Sequence, residues 1–228
     1  MSLGSRAIPW CNTSVREDQP LGSRKIPSID TIFEQEHFAQ LYSHDDQLID
    51  NLGKFIGAGI VAGDPCLVVA TSKHIALLRA YLSSRGVDIA KAQESGQCVI
   101  LDAKTTIASI TTQGLPDPEL FERVLGETLA KMTPPGKSPR VFGEMVSVLC
   151  SQNDAASAIL LEQFWNRLAR RQSLTVFCSF QKSYFEKPCN SSVLQEMDRL
   201  HSAMISQAAI TNIVLLDPTG KSSKVAFS

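Results

Sequence analysis

The chain has 228 residues with 22 basic and 23 acidic side chains, so its net charge is −1. A hydrophobic content of 43% and a charged content of 20% are ordinary for a globular protein with a buried core. The balanced charge favours neither nucleic acid nor anionic lipid as a partner. There is no apolar run near the ~18 residues that indicate a membrane span, and no apolar secretory segment at the N-terminus, so we expect a cytoplasmic protein.

Residues 1–28 are rich in Ser, Arg, Pro and Gly, which predicts a flexible N-terminal tail. From 29 to 228, short apolar runs alternate with helical patterns, which predicts a single α/β domain with a mostly parallel sheet. Strands are predicted at 37–42, 66–70, 97–101, 174–180 and 211–216, and the stretch 140–149 starts as a strand. Helices are predicted at about 45–62, 73–84, 88–95, 105–112, 117–132, 154–170 and 191–205.

Polar residues that favour helix N-caps support several of these boundaries. Asp45 or Asp46 is expected to cap the first helix, and Asn153 or Asp154 the long helix near residue 160. Asp117 precedes a proline, so it is expected to start a helix with Pro at the first helical position.

The order and spacing of several short motifs over about 36–185 resemble the DcmR-type sensory domain, also called the methanogen/methylotroph sensory (MEDS) domain. The motifs are, in chain order, His37-Phe38-x-Gln40-x-Tyr42-x-x-Asp45-Asp46, Phe55-Ile56-x-x-Gly59, Leu101-Asp102-Ala103, Gly114-x-Pro116-Asp117, Phe142-Gly143-Glu144-Met145-Val146, Leu161-Glu162-x-x-Trp165-Asn166-x-Leu168 and Phe177-Cys178-Ser179-Phe180. That family is similar in turn to KaiC-type members of the RecA superfamily.

The resemblance implies a RecA/KaiC-like parallel sheet flanked by helices and a sensory role in signal transduction or transcription regulation. It also implies frequent fusion to DNA-binding or histidine-kinase parts. The sequence departs from the pattern because the tail contains no helix-turn-helix and no kinase domain is present. Phe180 stands where the family often has an aromatic hydroxyl.

A phosphate loop is absent from the sequence. The fragment Thr219-Gly220-Lys221-Ser222 has Leu215 in place of the first glycine, and no helix follows it. KaiC-type ATPases carry acidic residues after their second core strand, but this chain has Thr71-Ser72-Lys73 there. The series Gly57-x-Gly59-x-x-x-Gly63 ends a helix before a strand, the reverse of a dinucleotide fingerprint. We therefore predict no nucleotide cofactor.

Glu144 is the strongest candidate for a ligand-binding residue. It follows the strand that starts at Arg140, and ligands of open α/β sheets bind beyond the carboxyl ends of strands. Gly143 would allow close approach, and Met145 would supply a soft pocket wall or pack in the core. The alternative is that Glu144 only bridges neighbouring elements.

Other candidates come from the flanking motifs. His37, Tyr42 and Asp45 lie on the first strand and the turn after it, where a ligand-facing role competes with capping and packing. Trp165 and Asn166 border the apolar face of the long helix, where they line a pocket or simply pack on the sheet.

Cys178 is expected to be a buried structural thiol, with redox sensing as the alternative. It is one of six cysteines, none of them in a C-x-x-C pair. The histidines and acids between His37 and Asp46 have weak spacing for metal ligands, so no metal site is predicted.

No nucleophile elbow, H-E-x-x-H or paired-carboxylate motif occurs, so we do not expect an enzyme. The favoured interpretation is a sensory domain that binds a small molecule at the strand ends and signals through a protein partner or a second copy. A degenerate nucleotide binder or weak ATPase is one alternative. A structural protein–protein interaction module is the other.

Overall fold

The structure is a computed structural model that describes residues 37–187 and 190–205, and the backbone of 214–216 and 222–224. The strands are β1 (His37–Tyr42), β2 (Cys66–Ala70), β3 (Cys98–Asp102), β4 (Thr111–Thr112), β5 (Leu115–Pro116), β6 (Arg140–Gly143), β7 (Thr175–Gln181), β8 (Ala203–Ile205), β9 (Val214–Leu216) and β10 (Ser222–Lys224). The helices are α1 (Asp45–Val61), α2 (Ser72–Ser84), α3 (Ile89–Glu94), α4 (Ala103–Ser109), α5 (Pro118–Phe121), α6 (Glu127–Met132), α7 (Met145–Ser151), α8 (Ala155–Gln172), α9 (Lys182–Phe185) and α10 (Ser191–Leu200), with a π-helical segment (Glu122–Gly126) between α5 and α6. The predicted tail and the Gly-Lys pair at 220–221 lie outside the described residues.

Six strands form one parallel sheet in the order β3-β2-β6-β7-β1-β8. Its central strands are apolar on both sides, as expected of a parallel sheet covered by helices. One core joins α1, α2 and α3 to a face that carries Phe142 and Phe177. In a second core, the helices from α4 through α10 pack against the opposite face, which carries Val176 and Cys178. The predicted α/β architecture is confirmed.

Several predicted boundaries are confirmed. β1 and β2 have the predicted limits. The Asp117 side chain accepts hydrogen bonds from the first turn of α5, and Asp154 caps α8 by accepting from Ser157 N. The predicted cap of α1 is wrong, because His44 is the N-cap residue and its side chain makes no cap hydrogen bond.

The stretch 140–149 starts as a strand, as predicted, and the strand ends at Gly143; the helix α7 that follows it was not predicted. The structure corrects one further prediction. The helix predicted to continue to Ile205 ends at Leu200, and Ala203–Ile205 adds to the sheet beside β1 as β8. The strand at Val214–Leu216 pairs with β10 in a separate hairpin.

The glycines of α1 serve helix packing. A side chain at Gly53 would overlap the ring of Tyr81 on α2, and one at Gly59 would lie 2.7 Å from Cδ of Arg140. The absence of a Cβ at Gly53 and Gly59 lets α1 approach Tyr81 and Arg140 closely, while Gly63 follows the helix with a positive φ of 72°. None of the helices in the described part of the chain has the length and hydropathy that a membrane crossing requires.

We expect Gly53→Ala to lower the free energy of unfolding by about 1–3 kcal/mol, because the new methyl group must displace an aromatic ring in a packed interface. Gly57→Ala is the matched control on the same helix, since its methyl group would meet only the flexible end of Leu82 at 3.0 Å. Urea unfolding of both variants checks this. Equal losses in the two variants would contradict the packing account.

Candidate functional site

The sheet changes winding direction between β2 and β6. These strands are neighbours, but β2 continues into α2 on one face and β6 continues into α7 on the other. Such a switch point opens a crevice at the carboxyl ends of the strands, where open α/β proteins bind ligands. Glu144 lies at this point, and its backbone N–H donates to Val69 O at 2.8 Å.

The Glu144 carboxylate accepts three hydrogen bonds within the crevice. Thr71 donates from its backbone N–H to Oε2 at 2.7 Å and from its hydroxyl to Oε1 at 3.3 Å. His74 Nδ1 lies 2.7 Å from Oε1. Because Glu144 is only 3% exposed, these internal partners replace its lost hydration.

Asp45 connects the buried pair to solvent. Its Oδ1 lies 3.3 Å from His74 Nε2, while Oδ2 forms an ion pair with Lys73. The side chains of Asp45 and Lys73 are 33% and 69% exposed, so they form the rim. The ring of Tyr42 lies edge-on to His74, with 6.1 Å between ring centres. We call Tyr42, Asp45, Thr71, His74 and Glu144 the switch-point cluster.

The electrostatics of this cluster favour a charged imidazole beside two carboxylates. Burial disfavours the protonated ring of His74, but Glu144 and then Asp45 outweigh burial and raise its pKa. The hydrogen bond from Lys73, followed by His74, lowers the pKa of Asp45. Burial, followed by the charge of Glu144, raises the pKa of Tyr42 to about 12, so its phenol stays neutral.

A second polar cluster lies between the sheet and α8. His37 on β1, Cys178 on β7, Glu162 on α8 and His201 after α10 bring their potential metal-ligand atoms within 4.8 Å of one another. All four are buried, and we call them the α8 cluster. Asn166 lies at its edge, with Oδ1 3.1 Å from His37 Nδ1.

Burial, followed by the charge of Glu162, raises the pKa of the Cys178 thiol well above its ordinary value. Burial also lowers the pKa of His201 to about 4, so that ring is neutral near pH 7. The α8 cluster therefore contains a thiol that keeps its proton and a neutral His201 ring, whereas the switch-point cluster contains a histidine of raised pKa.

The structure divides the predicted site residues into three groups. Glu144, Tyr42 and Asp45 meet in the switch-point cluster. The remaining polar candidates, His37, Asn166 and Cys178, meet around Glu162 in the α8 cluster.

Met145 and Trp165 form the third group and are fully buried in the apolar core. A Cβ at Gly143 would lie 3.5 Å from Nε1 of Trp165. The group that approaches this glycine closely is therefore the indole of Trp165.

Sequence reasoning missed His74 and His201. His74 is the third residue of α2 and lies one position beyond Thr71-Ser72-Lys73, the segment after β2 in which acidic residues are expected of a KaiC-type ATPase. His201 falls inside a helix predicted to run to 205, and its position depends on where α10 ends. Glu162 is four residues before Asn166, so the two share a face of the predicted helix, and this is the signal that could have added it to the candidates.

Comparison with known protein families identifies the family to which this sequence belongs. Residues 36–202 match the model of the MEDS domain, described as "MEthanogen/methylotroph, DcmR Sensory domain". A search of curated proteins found no match.

Three of the similar solved structures come from Pyrococcus horikoshii. A KaiC-like protein has 14% identity and a TM-score of 0.49, with 68% of each chain covered. A second protein has 9% identity and a TM-score of 0.49, with 85% of this chain and 93% of that chain covered. An uncharacterised protein in complex with an unknown peptide has 11% identity and a TM-score of 0.54, with coverages of 82% and 81%. The similarity in structure concerns the fold, and the family match covers most of the sequence: this chain belongs to the MEDS sensory-domain family.

Proposed function

We propose that this domain is a non-catalytic sensory module that binds a small molecule at the switch-point cluster. The observation that carries the proposal is the buried Glu144–His74 pair, which lies at the strand ends and reaches solvent through Asp45 and Lys73. The pair joins α2 to the β6–α7 connection, and Asp45 adds the start of α1.

This arrangement suits a sensor because burial of the Glu144–His74 pair costs free energy, and the loss of either partner's hydrogen bond destabilises the other. Removal of one partner leaves an uncompensated charge inside the protein. A ligand that takes over a hydrogen bond to Glu144 or Asp45 would release His74 and change how α1 and α2 meet at the sheet edge. A protein partner or a second copy would read that change, and we place this signalling in the cytoplasm.

The chemistry of the cluster favours a ligand with O–H or N–H donors. Two carboxylates, from Asp45 and Glu144, supply acceptors, and Lys73 is the exposed cation beside them. A small alcohol, polyol or amine would replace the Lys73 contact or a hydrogen bond to Glu144 without new charge repulsion.

A nucleotide is less well suited to this edge of the sheet. The connection between β1 and α1, where a RecA-type protein would carry its phosphate loop, has only Ser43 and His44. Two residues are too few for a loop of backbone N–H groups around a phosphate. Asp45 and Asp46 in the first turn of α1 would repel the anion.

The hydrogen bonds of the Thr71 hydroxyl support a non-catalytic role for this residue. Its hydroxyl accepts from the backbone N–H of His74 as the cap of α2 and donates to Glu144. Both contacts are internal, so the hydroxyl is committed to holding the crevice.

The first test is isothermal calorimetry of the purified chain against small alcohols, polyols and amines, with ATP–magnesium and a peptide mixture as separate arms. The peptide arm is included because one P. horikoshii protein of similar fold was solved with an unknown peptide. We expect a ligand from the first group to bind, and Glu144→Gln to weaken it about 10-fold or more, the effect of one hydrogen bond to a charged group.

Glu127→Gln is the matched control for that experiment, because it removes an exposed carboxylate on α6 that pairs with Lys131. Undiminished binding in Glu144→Gln would overturn the assignment of this residue. Binding of ATP–magnesium or peptide alone would replace the proposed ligand class.

The raised pKa of His74 makes a second prediction, on the pH dependence of stability. A raised folded-state pKa contributes stability that is complete below the ordinary pKa of about 6.5 and is lost as pH rises through the folded-state value. We expect His74→Gln to lower the free energy of unfolding by about 1.5–3 kcal/mol at pH 5.5 and by less at alkaline pH. The groups that face this imidazole are Glu144, Asp45, Lys73 and Tyr42.

Urea unfolding of wild type and variant between pH 5.5 and 9 measures this difference. His44→Gln is the control, since His44 is exposed beside the same helix start. A difference between wild type and His74→Gln that stays constant or grows with pH would contradict the charged-imidazole account.

A further inference from the structure

The α8 cluster has ligand spacing that fits a tetrahedral metal ion. His37 Nε2 lies 3.2 Å from Cys178 Sγ and 3.1 Å from Glu162 Oε2. The same carboxylate oxygen lies 3.6 Å from Cys178 Sγ and 3.5 Å from His201 Nε2. Zinc bonds of about 2.0–2.3 Å at tetrahedral angles place neighbouring ligand atoms about 3.3–3.8 Å apart. Two of the four distances fall in this range, and the two from His37 Nε2, 3.1 and 3.2 Å, are slightly shorter.

Both histidines direct Nε2 toward the centre of the cluster. His201 Nδ1 lies 2.6 Å from the carbonyl of Met197, which can only accept, so Nδ1 carries the proton. Asn166 donates its amide N–H to Leu200 O at 2.7 Å, which turns its oxygen toward His37 Nδ1. In both rings Nδ1 therefore carries a proton, so Nε2 is the nitrogen available to a metal ion.

The centre of the cluster brings together four potential ligand atoms. Two imidazole nitrogens, a carboxylate oxygen of Glu162 and the sulfur of Cys178 meet there. Among the described residues, His201 Nε2 and Glu162 Oε1 are buried polar atoms without a hydrogen-bond partner. Such atoms are costly, and a buried carboxylate needs a cation or donors around it.

We propose that the α8 cluster is a four-coordinate binding site for a Zn²⁺-like transition-metal ion. One added proton would give a hydrogen-bond partner to only one of the unpaired atoms, whereas a tetrahedral cation accepts a lone pair from each of the four side chains. Thiolate and imidazole ligands select zinc, iron or cobalt over magnesium and calcium, which prefer all-oxygen sites. As the metal binds, the thiol proton of Cys178 leaves to water and the thiolate becomes the ligand.

The surrounding residues support the ligands as outer partners do in metal sites. Asn166 and the carbonyl of Met197 orient the two imidazoles through their Nδ1 protons, the usual arrangement for metal-bound histidine. The site also joins distant parts of the chain, because His201 follows α10 and its neighbour Ser202 donates to His37 O at 2.7 Å. Metal binding would therefore fasten α10 and β8 to the edge of the sheet.

Cobalt substitution tests the site on the full chain. We expect metal-stripped wild-type protein to bind one Co²⁺ per chain, with the intense visible bands of tetrahedral cobalt and a thiolate-to-cobalt charge-transfer band. Cys178→Ser should abolish the charge-transfer band. Asn166→Ala, which leaves all four ligands in place, should weaken binding about 10–100-fold. Elemental analysis should find one zinc per chain in protein loaded with Zn²⁺.

Cys150→Ser is the matched thiol control, because Cys150 is equally buried on α7 and lies outside the cluster. His74→Gln is the matched histidine control in the switch-point cluster. Both controls should retain the wild-type cobalt spectrum. If wild-type protein, folded by circular dichroism, binds no stoichiometric Co²⁺ or Zn²⁺, the proposal is overturned. That titration needs no variant, so a Cys178→Ser chain that fails to fold does not rescue the proposal.

Discussion

The hydrogen bonds that Thr71 and His74 give to Glu144 hold the carboxyl ends of β2 and β6 together. These two strands send the chain to opposite faces of the sheet, so no continuous helix or strand covers the gap between them. A carboxylate buried there must be fully satisfied by its neighbours. Glu144 meets this requirement and at the same time fixes the start of α2 and the turn into α7.

The second buried carboxylate, Glu162, is in the opposite situation. Glu144 has a donor for each of its oxygens, whereas the contacts of Glu162 with His37, Cys178 and His201 all involve Oε2 and leave Oε1 without a partner. The indole of Trp165 and the thiol of Cys178 both lie within 4 Å of the position that a Cβ would take at Gly143, the residue before Glu144. A small-molecule site at one cluster and a metal site at the other would lie within one sheet and share this packing.

The sequence predicted the central elements because their patterns are strong. Cys66–Ala70 is an apolar run of strand length, and Pro118 follows a capping aspartate, so β2 and the start of α5 were predicted correctly. α7 was missed because the stretch from Met145 to Cys150 is apolar except for Ser147, and periodicity does not separate a buried strand from a buried helix in so short a run. β8 has three residues and carries no pattern of its own.

The sequence by itself determined the family, the α/β class and most of the polar residues of the two clusters, because strand ends and motif spacing are local properties. Only the tertiary structure decided how those residues are grouped. His37 lies five residues from Tyr42 on one strand, yet the two belong to different clusters because alternate side chains point to opposite faces. His74 reaches the switch-point cluster through its position on α2, and His201 reaches the α8 cluster because α10 ends just before it. Both placements depend on packing across the whole sheet and leave no local signal in the sequence.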